Sequence, residues 1–295
     1  MINEINLSSS GTMLVYKKGY TYGFVKDTIA TYKLEGLRIF DHLDALDSLD
    51  FLKDYNFLEK LSIDCILDQN YSFLKNLTKL KYLGIGISVK ENNPIDLSNQ
   101  QNLESLDIHW RKGKIIGLEK CRNIKTLIIW SFKEKDFNAI SHLSELVDLE
   151  VKTGSVETTA GLENLKHLES LSIAYCPRLK SIKEISSLKK LSSLEIWACS
   201  KIEDYDELKG LDSLTSLKIV NGKGISSIKF IQNFPALNKL SLSGNTVILD
   251  GDLTPAKNIE KVFYKHYKHY NIRIENKEID QLRRSNLEKI KARFR

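Results

Sequence analysis

Leu168-Glu-Ser-Leu171-Ser-Ile173-Ala-Tyr-Cys176 is followed twenty-three residues later by Leu191-Ser-Ser-Leu194-Glu-Ile196-Trp-Ala-Cys199. The same Leu-x-x-Leu-x-Ile block begins at Leu34, Leu58, Leu80, Leu103, Ile124, Leu146, Leu214 and Leu237, with a degraded copy at Ile259. That makes eleven copies spaced 21 to 24 residues apart. A short strand sends alternate side chains to opposite sides, so Leu171 and Ile173 face one way while Ser170 and Ser172 face the other. The first set is expected to fill a core. A second apolar series follows at wider intervals, as in Leu179, Ile182, Ile185 and Leu188, and is expected to return the chain as turns or short helical pieces. One coil cannot bury both series, but stacked coils can, each covering its neighbour's apolar edge. The expected product is an α/β solenoid, a curved horseshoe or arc with a parallel β-sheet on its concave side.

On these repeats the sequence resembles the leucine-rich-repeat superfamily, in the short-repeat branch that includes internalins and the phosphatase-regulator type. The resemblance spans Leu34 to Tyr267. It implies an Asn or Cys at the turn after each strand, bonded to the backbone. Cys176, Cys199 and Asn245 meet that pattern, whereas Ile66, Ser88, Arg111, Phe132, Gly154 and Gly222 stand elsewhere in the ladder. The ladder is irregular, and local twist is expected to vary with it.

A solenoid's terminal coils need covering. Residues 1–33 are expected to form an N-terminal cap, 34–267 the repeat body, and 268–295 a C-terminal capping segment with a basic amphipathic helix. Within the first, the alternating Met13 to Val25 stretch, broken at Lys18-Gly19, reads as a hairpin or a pair of extended segments. Within the last, Ile279, Leu282, Leu287, Ile290 and Phe294 fall near one helical stripe, with arginines and lysines opposite. The other reading of that helix is a basic face for a membrane surface or a nucleic acid.

The formal charge of +6 is uneven: after Lys257 stand eleven basic residues against five acidic ones, so the repeat body is close to neutral. No run of about 18 apolar residues suggests a membrane span. The start, Met-Ile-Asn-Glu-Ile-Asn-Leu, carries an acid in place of a basic leader region. Cys65, Cys121, Cys176 and Cys199 lack close CxxC pairing, so reduced thiols, no disulfide and a cytoplasmic location are expected. Cys176 and Cys199 share one position in adjacent coils and are read as buried thiols at the turn.

The outward positions of the strands form two columns across the concave sheet. One runs Arg38, Ser62, Gly84, Asp107, Ile128, Glu150, Ser172, Glu195, Lys218, Ser241, Phe263. The other runs Phe40, Asp64, Gly86, His109, Trp130, Lys152, Ala174, Trp197, Val220, Ser243, Lys265. Solvated tryptophan invites a cover. The candidate partner-binding set is therefore Asp107, His109, Trp110, Ile128, Trp130, Glu150, Lys152, Tyr175, Glu195 and Trp197, aromatic anchors ringed by charge. The bland alternative folds the rings over neighbouring aliphatic stems. With acids read as dominating the centre, a basic protein surface is the expected partner and nucleic acid is disfavoured.

His266 and His269 lie among tyrosines from Tyr264 to Tyr270, with no Cys or carboxylate to complete a metal site. Alternation would place His266 and Tyr270 near the surface of the last strand. No phosphate loop, nucleophile elbow or catalytic triad pattern occurs, so neither a cofactor nor catalysis is expected. The sequence points to a non-catalytic module, monomeric when unbound, that holds a protein on its concave face. A regulatory, targeting or inhibitor subunit of an enzyme or toxin, and a nucleic-acid binder using the basic end, are the other readings kept.

Overall fold

In the computed structural model, residues 12–41 and 46–274 are described. The strands are β1 (Met13–Val15), β2 (Gly36–Phe40), β3 (Lys60–Asp64), β4 (Tyr82–Ile85), β5 (Ile95–Asp96), β6 (Ser105–His109), β7 (Ile115–Ile116) and β8 (Thr126–Phe132). They continue as β9 (Asp148–Gly154), β10 (Ser170–Ala174), β11 (Ser193–Trp197), β12 (Ser216–Val220), β13 (Gly224–Ile225), β14 (Lys239–Ser243), β15 (Val247–Ile248) and β16 (Lys261–Tyr264). Twelve of them form one parallel sheet in the order β1-β2-β3-β4-β6-β8-β9-β10-β11-β12-β14-β16. The pairs β5/β7 and β13/β15 make small parallel ribbons beside it.

The repeat dictates the register. Leu171 pairs with Leu194 and Ile173 with Ile196, and the same match carries through Leu217 and Leu240. All of these anchors are buried, together with the second apolar series, Leu179, Ile182, Ile185 and Leu188. Between strands the chain returns through short 3-10 helices, such as Lys183–Ser187 and Lys229–Asn233. Few helical residues are needed because each coil is closed by its neighbours and not by itself.

The N-terminal stretch departs from the expected hairpin. Only Met13–Val15 is extended, and it pairs in parallel with β2 as the first strand of the sheet. Tyr22–Thr31 is an α-helix, α1, started by Thr21, whose hydroxyl accepts the Phe24 N–H at 3.2 Å. Val25 and Thr28, one helical step apart, are the residues this helix buries. The apparent alternation of the sequence thus spans a strand and the first turn of a helix. Thr21→Ala is expected to lower stability by about 1 kcal/mol, the usual worth of an N-cap, as a shift in the chemical denaturation midpoint. An unchanged midpoint would mean the cap contributes nothing.

At the other end, the stretch after β16 folds back onto the last coil. Tyr270 is buried, against the surface position expected for it; its hydroxyl accepts the Ile248 N–H at 3.0 Å. His269 Nε2 lies 2.9 Å from the Ile248 carbonyl oxygen, and the Tyr264 hydroxyl accepts the Ile274 N–H at 2.8 Å. Apolar rings beside an open coil edge are better buried than solvated, which overrides simple strand alternation. The stripe from Ile279 to Phe294 lies outside the described residues.

Candidate functional site

The outward columns follow from the register. Arg38, Ser62, Gly84, Asp107, Ile128, Glu150, Ser172 and Glu195 are partners from strand to strand, and so are His109, Trp130, Lys152, Ala174 and Trp197. Adjacent strands lie about 4.8 Å apart, so side chains next to one another in a column touch.

Two tryptophans on this face share one arrangement. Lys152 Nζ lies 4.5 Å from the Trp130 ring centroid and 3.3 Å from Glu150 Oε2. Lys218 Nζ lies 4.9 Å from the Trp197 ring centroid and 3.1 Å from Glu195 Oε2. Each ring supports a lysine that is also paired with a carboxylate, combining cation–π attraction with an ion pair. The two rings differ in what they leave open. Trp130 is 41% exposed and its indole N–H donates to Asp107 Oδ1 at 3.0 Å, whereas the Trp197 indole nitrogen is buried without a partner.

Acids therefore do not dominate the centre as expected. Asp64 pairs with Arg38 at 2.9 Å, and Glu150 and Glu195 have their lysines. Asp107 is the exception: among the described residues no lysine or arginine lies within ion-pair distance of it. Burial pushes its carboxyl above the usual range, against the bond from Trp130 and the field of Lys152.

Trp110 does not reach the accessible face, and His109, in the outward column, is largely covered where it lines a cavity on this face. Trp110 is 5% exposed, its ring packs edge-on against Phe132 at 4.9 Å, and its indole donates to Glu134 at 3.1 Å. His109 is buried, with Nδ1 2.7 Å from Glu91 Oε1, and desolvation is the largest influence holding its pKa below the ordinary value.

The reason for the Trp110 placement lies in the corner after each strand. Ser131, Thr153, Tyr175, Ala198 and Asn221 occupy equivalent positions and are left-handed, with φ of 55°, 79°, 54°, 53° and 54°; Gly244 follows at 68°, where glycine avoids the Cβ clash. That corner leaves Tyr175 53% exposed while Cys176 goes inside. Trp110 holds the equivalent position without the left-handed turn, and its side chain enters the core. The turn at Arg111 is likewise filled by a buried guanidinium instead of a small polar group.

The face also holds an open cavity of about 620 Å³ near its N-terminal end, lined in part by Arg38, Ser62, Asp64, Tyr82, Asp107 and Trp130. Gly84, on β4, and Gly86, just past its end, contribute no side chains to the lining, which lets the Tyr82 hydroxyl and the Asp64 carboxylate lie close over the backbone there. Its rim includes Ile87, 69% exposed. Ile66, Leu67 and Val89 are exposed beside it on two adjacent turns, tied by the Val89 N–H donating to the Ile66 carbonyl at 2.8 Å. Of these residues the sequence put Asp107 and Trp130 in the candidate set, but not Tyr82, Ile87, Leu67 or Val89, although Gly-x-Gly among neighbours that carry Ser, Asp and His was a readable sign of a hollow.

All four cysteines are buried thiols. Among the described residues no three of His, Cys, Asp and Glu stand close enough to share a metal ion, and no helix is long and apolar enough to cross a membrane.

No protein-family model matches the chain, and no curated protein matches it in sequence. Solved structures match in shape. An internalin, inlF, from Listeria monocytogenes superposes with a TM-score of 0.62 at 20% identity, over 79% of this chain and 67% of that one. Internalin C2 from the same species gives 0.47 at 20% identity, over 66% and 84% of the two chains. A leucine-rich-repeat protein of Leptospira interrogans gives 0.33 at 15%, over 79% and 78%. With its repeats in register on one parallel sheet and the first of these likenesses in shape, the chain is a leucine-rich-repeat solenoid.

Proposed function

We propose that this chain is a non-catalytic binding module that holds a protein partner on the N-terminal half of its concave face. The observation that carries this reading is exposed apolar and aromatic surface with no core role. Trp130 and Ile87 stand open at the cavity and Tyr175 on the corner two strands beyond Trp130, while the anchors behind them are fully buried. Rigid aromatic anchors of this kind bury much area for little lost side-chain entropy. Asp107, Ile128, Glu150 and Lys152 complete the patch around Trp130, and Glu195 and Trp197 extend it; His109 adds a largely covered part of the cavity lining, and Trp110 packs beneath.

A basic partner surface fits the single uncompensated carboxylate better than the paired glutamates. The nucleic-acid reading through His266 and His269 loses support, because His269 and Tyr270 are committed to closing the last coil. Inhibition, targeting and scaffolding would all use this one face. Buried thiols fit a reducing cytoplasm, and the capped sheet fits a monomer when unbound.

A photocrosslinking amino acid at Tyr175 or Ile87 is expected to give a discrete adduct in native lysate, and the same probe at Lys53 on the convex side to give none. Adducts from Lys53 with silence at Tyr175 and Ile87 would move the interface off the concave face.

A further inference from the structure

Tyr82, Gly84 and Gly86 point to the same side of the sheet, and without side chains at the glycines the Tyr82 ring folds over the gap. A Cβ at Gly84 would stand 2.8 Å from the Tyr82 hydroxyl and 3.4 Å from Ser62 Oγ, so both hydroxyls converge on the floor of the cavity. Neither has a hydrogen-bond partner among the described residues. Across the floor, Asp107 uses Oδ1 to accept from Trp130, and Oδ2 accepts from no group among the described residues. The ionised lining carries one uncompensated negative charge: Arg38 and Asp64 cancel at 2.9 Å, Asp107 stands alone, and burial disfavours the charged form of His109. Above this polar floor lie an apolar rim at Ile87 and the exposed flank of Trp130.

A polar floor with three spare acceptors, one net negative charge and apolar walls matches a long side chain with a cationic, multiply donating tip. We propose that the cavity receives an arginine side chain from the bound protein. Its guanidinium donates to Asp107 Oδ2, the Tyr82 hydroxyl and Ser62 Oγ, and its methylene stem lies between Ile87 and Trp130. The proposal rests on the concave face being the partner's site and names the chemistry that face selects. Arginine fits better than lysine because its planar fork reaches several separated acceptors at once and gives up its hydration more readily. It also supplies the cation that desolvated Asp107 lacks, in a charge-assisted bond.

The test needs no partner. N-acetyl-arginine-N-methylamide is titrated into the labelled full chain while the three tryptophan indole N–H signals are followed by NMR, with the Trp130 signal assigned through Trp130→Phe. The expected result is a saturable shift of the Trp130 signal with millimolar half-saturation, while Trp110 and Trp197 stay still. The citrulline counterpart, equal in shape but uncharged, should bind at least about tenfold more weakly, as should the arginine probe to Asp107→Asn. Gly84→Val should abolish saturation by filling the cavity. Its Cβ would meet side chains and no backbone, at 2.8 Å from the Tyr82 hydroxyl and 3.4 Å from the Tyr82 Cζ and Ser62 Oγ, so the Tyr82 ring must shift, and a thermal melt close to wild type will show the fold intact. Equal binding of the citrulline probe, equal binding of N-acetyl-lysine-N-methylamide titrated in the same way, unsaturable shifts, or an equal response at Trp197 would each overturn the proposal. Failure here with crosslinks persisting at Tyr175 removes the arginine socket alone, whereas loss of those crosslinks with the titration intact removes the partner's placement.

Discussion

Arg111→Ala is expected to lower stability by about 4 kcal/mol, because it leaves a buried carboxylate without its cation. The guanidinium is fully buried and donates through Nη1 to Asp68 Oδ1 at 2.6 Å and the Asn93 carbonyl at 3.0 Å. Through Nη2 it reaches the Tyr71 hydroxyl and Ser88 Oγ, each at 3.2 Å. At the turn position where Ser88, Cys176, Cys199 and Asn245 stand in other repeats, it is a hub joining three coils. Burial pushes the Asp68 carboxyl up, but the Asn93 N–H, Arg111 and the Asn92 N–H outweigh this and hold it below the usual value. A depressed folded-state pKa contributes stability that is present above the unfolded value near 4 and is lost as pH falls through the lower folded value. The gap between wild type and variant in urea denaturation should therefore be full at pH 7 and shrink below about pH 4. Arg111→Met with Asp68→Asn should recover much of the loss by removing the stranded charge. A cost under about 1 kcal/mol for Arg111→Ala would place the network among ordinary surface contacts. The same hub holds the turn that carries Ile87, so its loss should also loosen the cavity rim.

Trp130→Ala is expected to weaken partner binding by about 2 kcal/mol, roughly thirtyfold, while stability changes by less than about 1 kcal/mol. The ring is half open and buries little of the core, so its area is available for a partner to cover. Trp197→Ala should behave differently. Its indole nitrogen is already enclosed and Lys218 covers the ring, so part of its effect should appear as lost stability in the free protein. Isothermal titration against the crosslinked partner, beside thermal melts of both variants, separates the two contributions. If Trp130→Ala reduces melting temperature and affinity together, the ring belongs to the sheet and not to the interface. Full affinity in a stable Trp130→Ala variant would move the anchor toward Ile87 and Tyr175. Glu150→Lys is a weaker probe of the same site, because Glu150 is already paired with Lys152 and its loss should act mainly on the association rate.

The repeat was legible from the chain alone because its period is a covalent fact. Leucines 23 residues apart in the Leu168 and Leu191 blocks have one efficient way to bury both apolar series, and that way stacks the strands in parallel with Leu171 against Leu194. Alternation then placed Glu150, Glu195, Trp130 and Trp197 on the outward face correctly, since the side of a strand is a local property. What lay beyond it was set by contacts between coils. Trp110 sits inside and Tyr175 outside at equivalent positions because one corner is left-handed and the other is not. Asp64, Glu150 and Glu195 are neutralised by partners whose Nζ or guanidinium atoms reach them only once the side chains settle. The hollow at Gly84 and Gly86 exists because side chains on both flanking strands stand above glycines that have none. Such a shape belongs to three strands at once, and only their packing in space decides which groups line it.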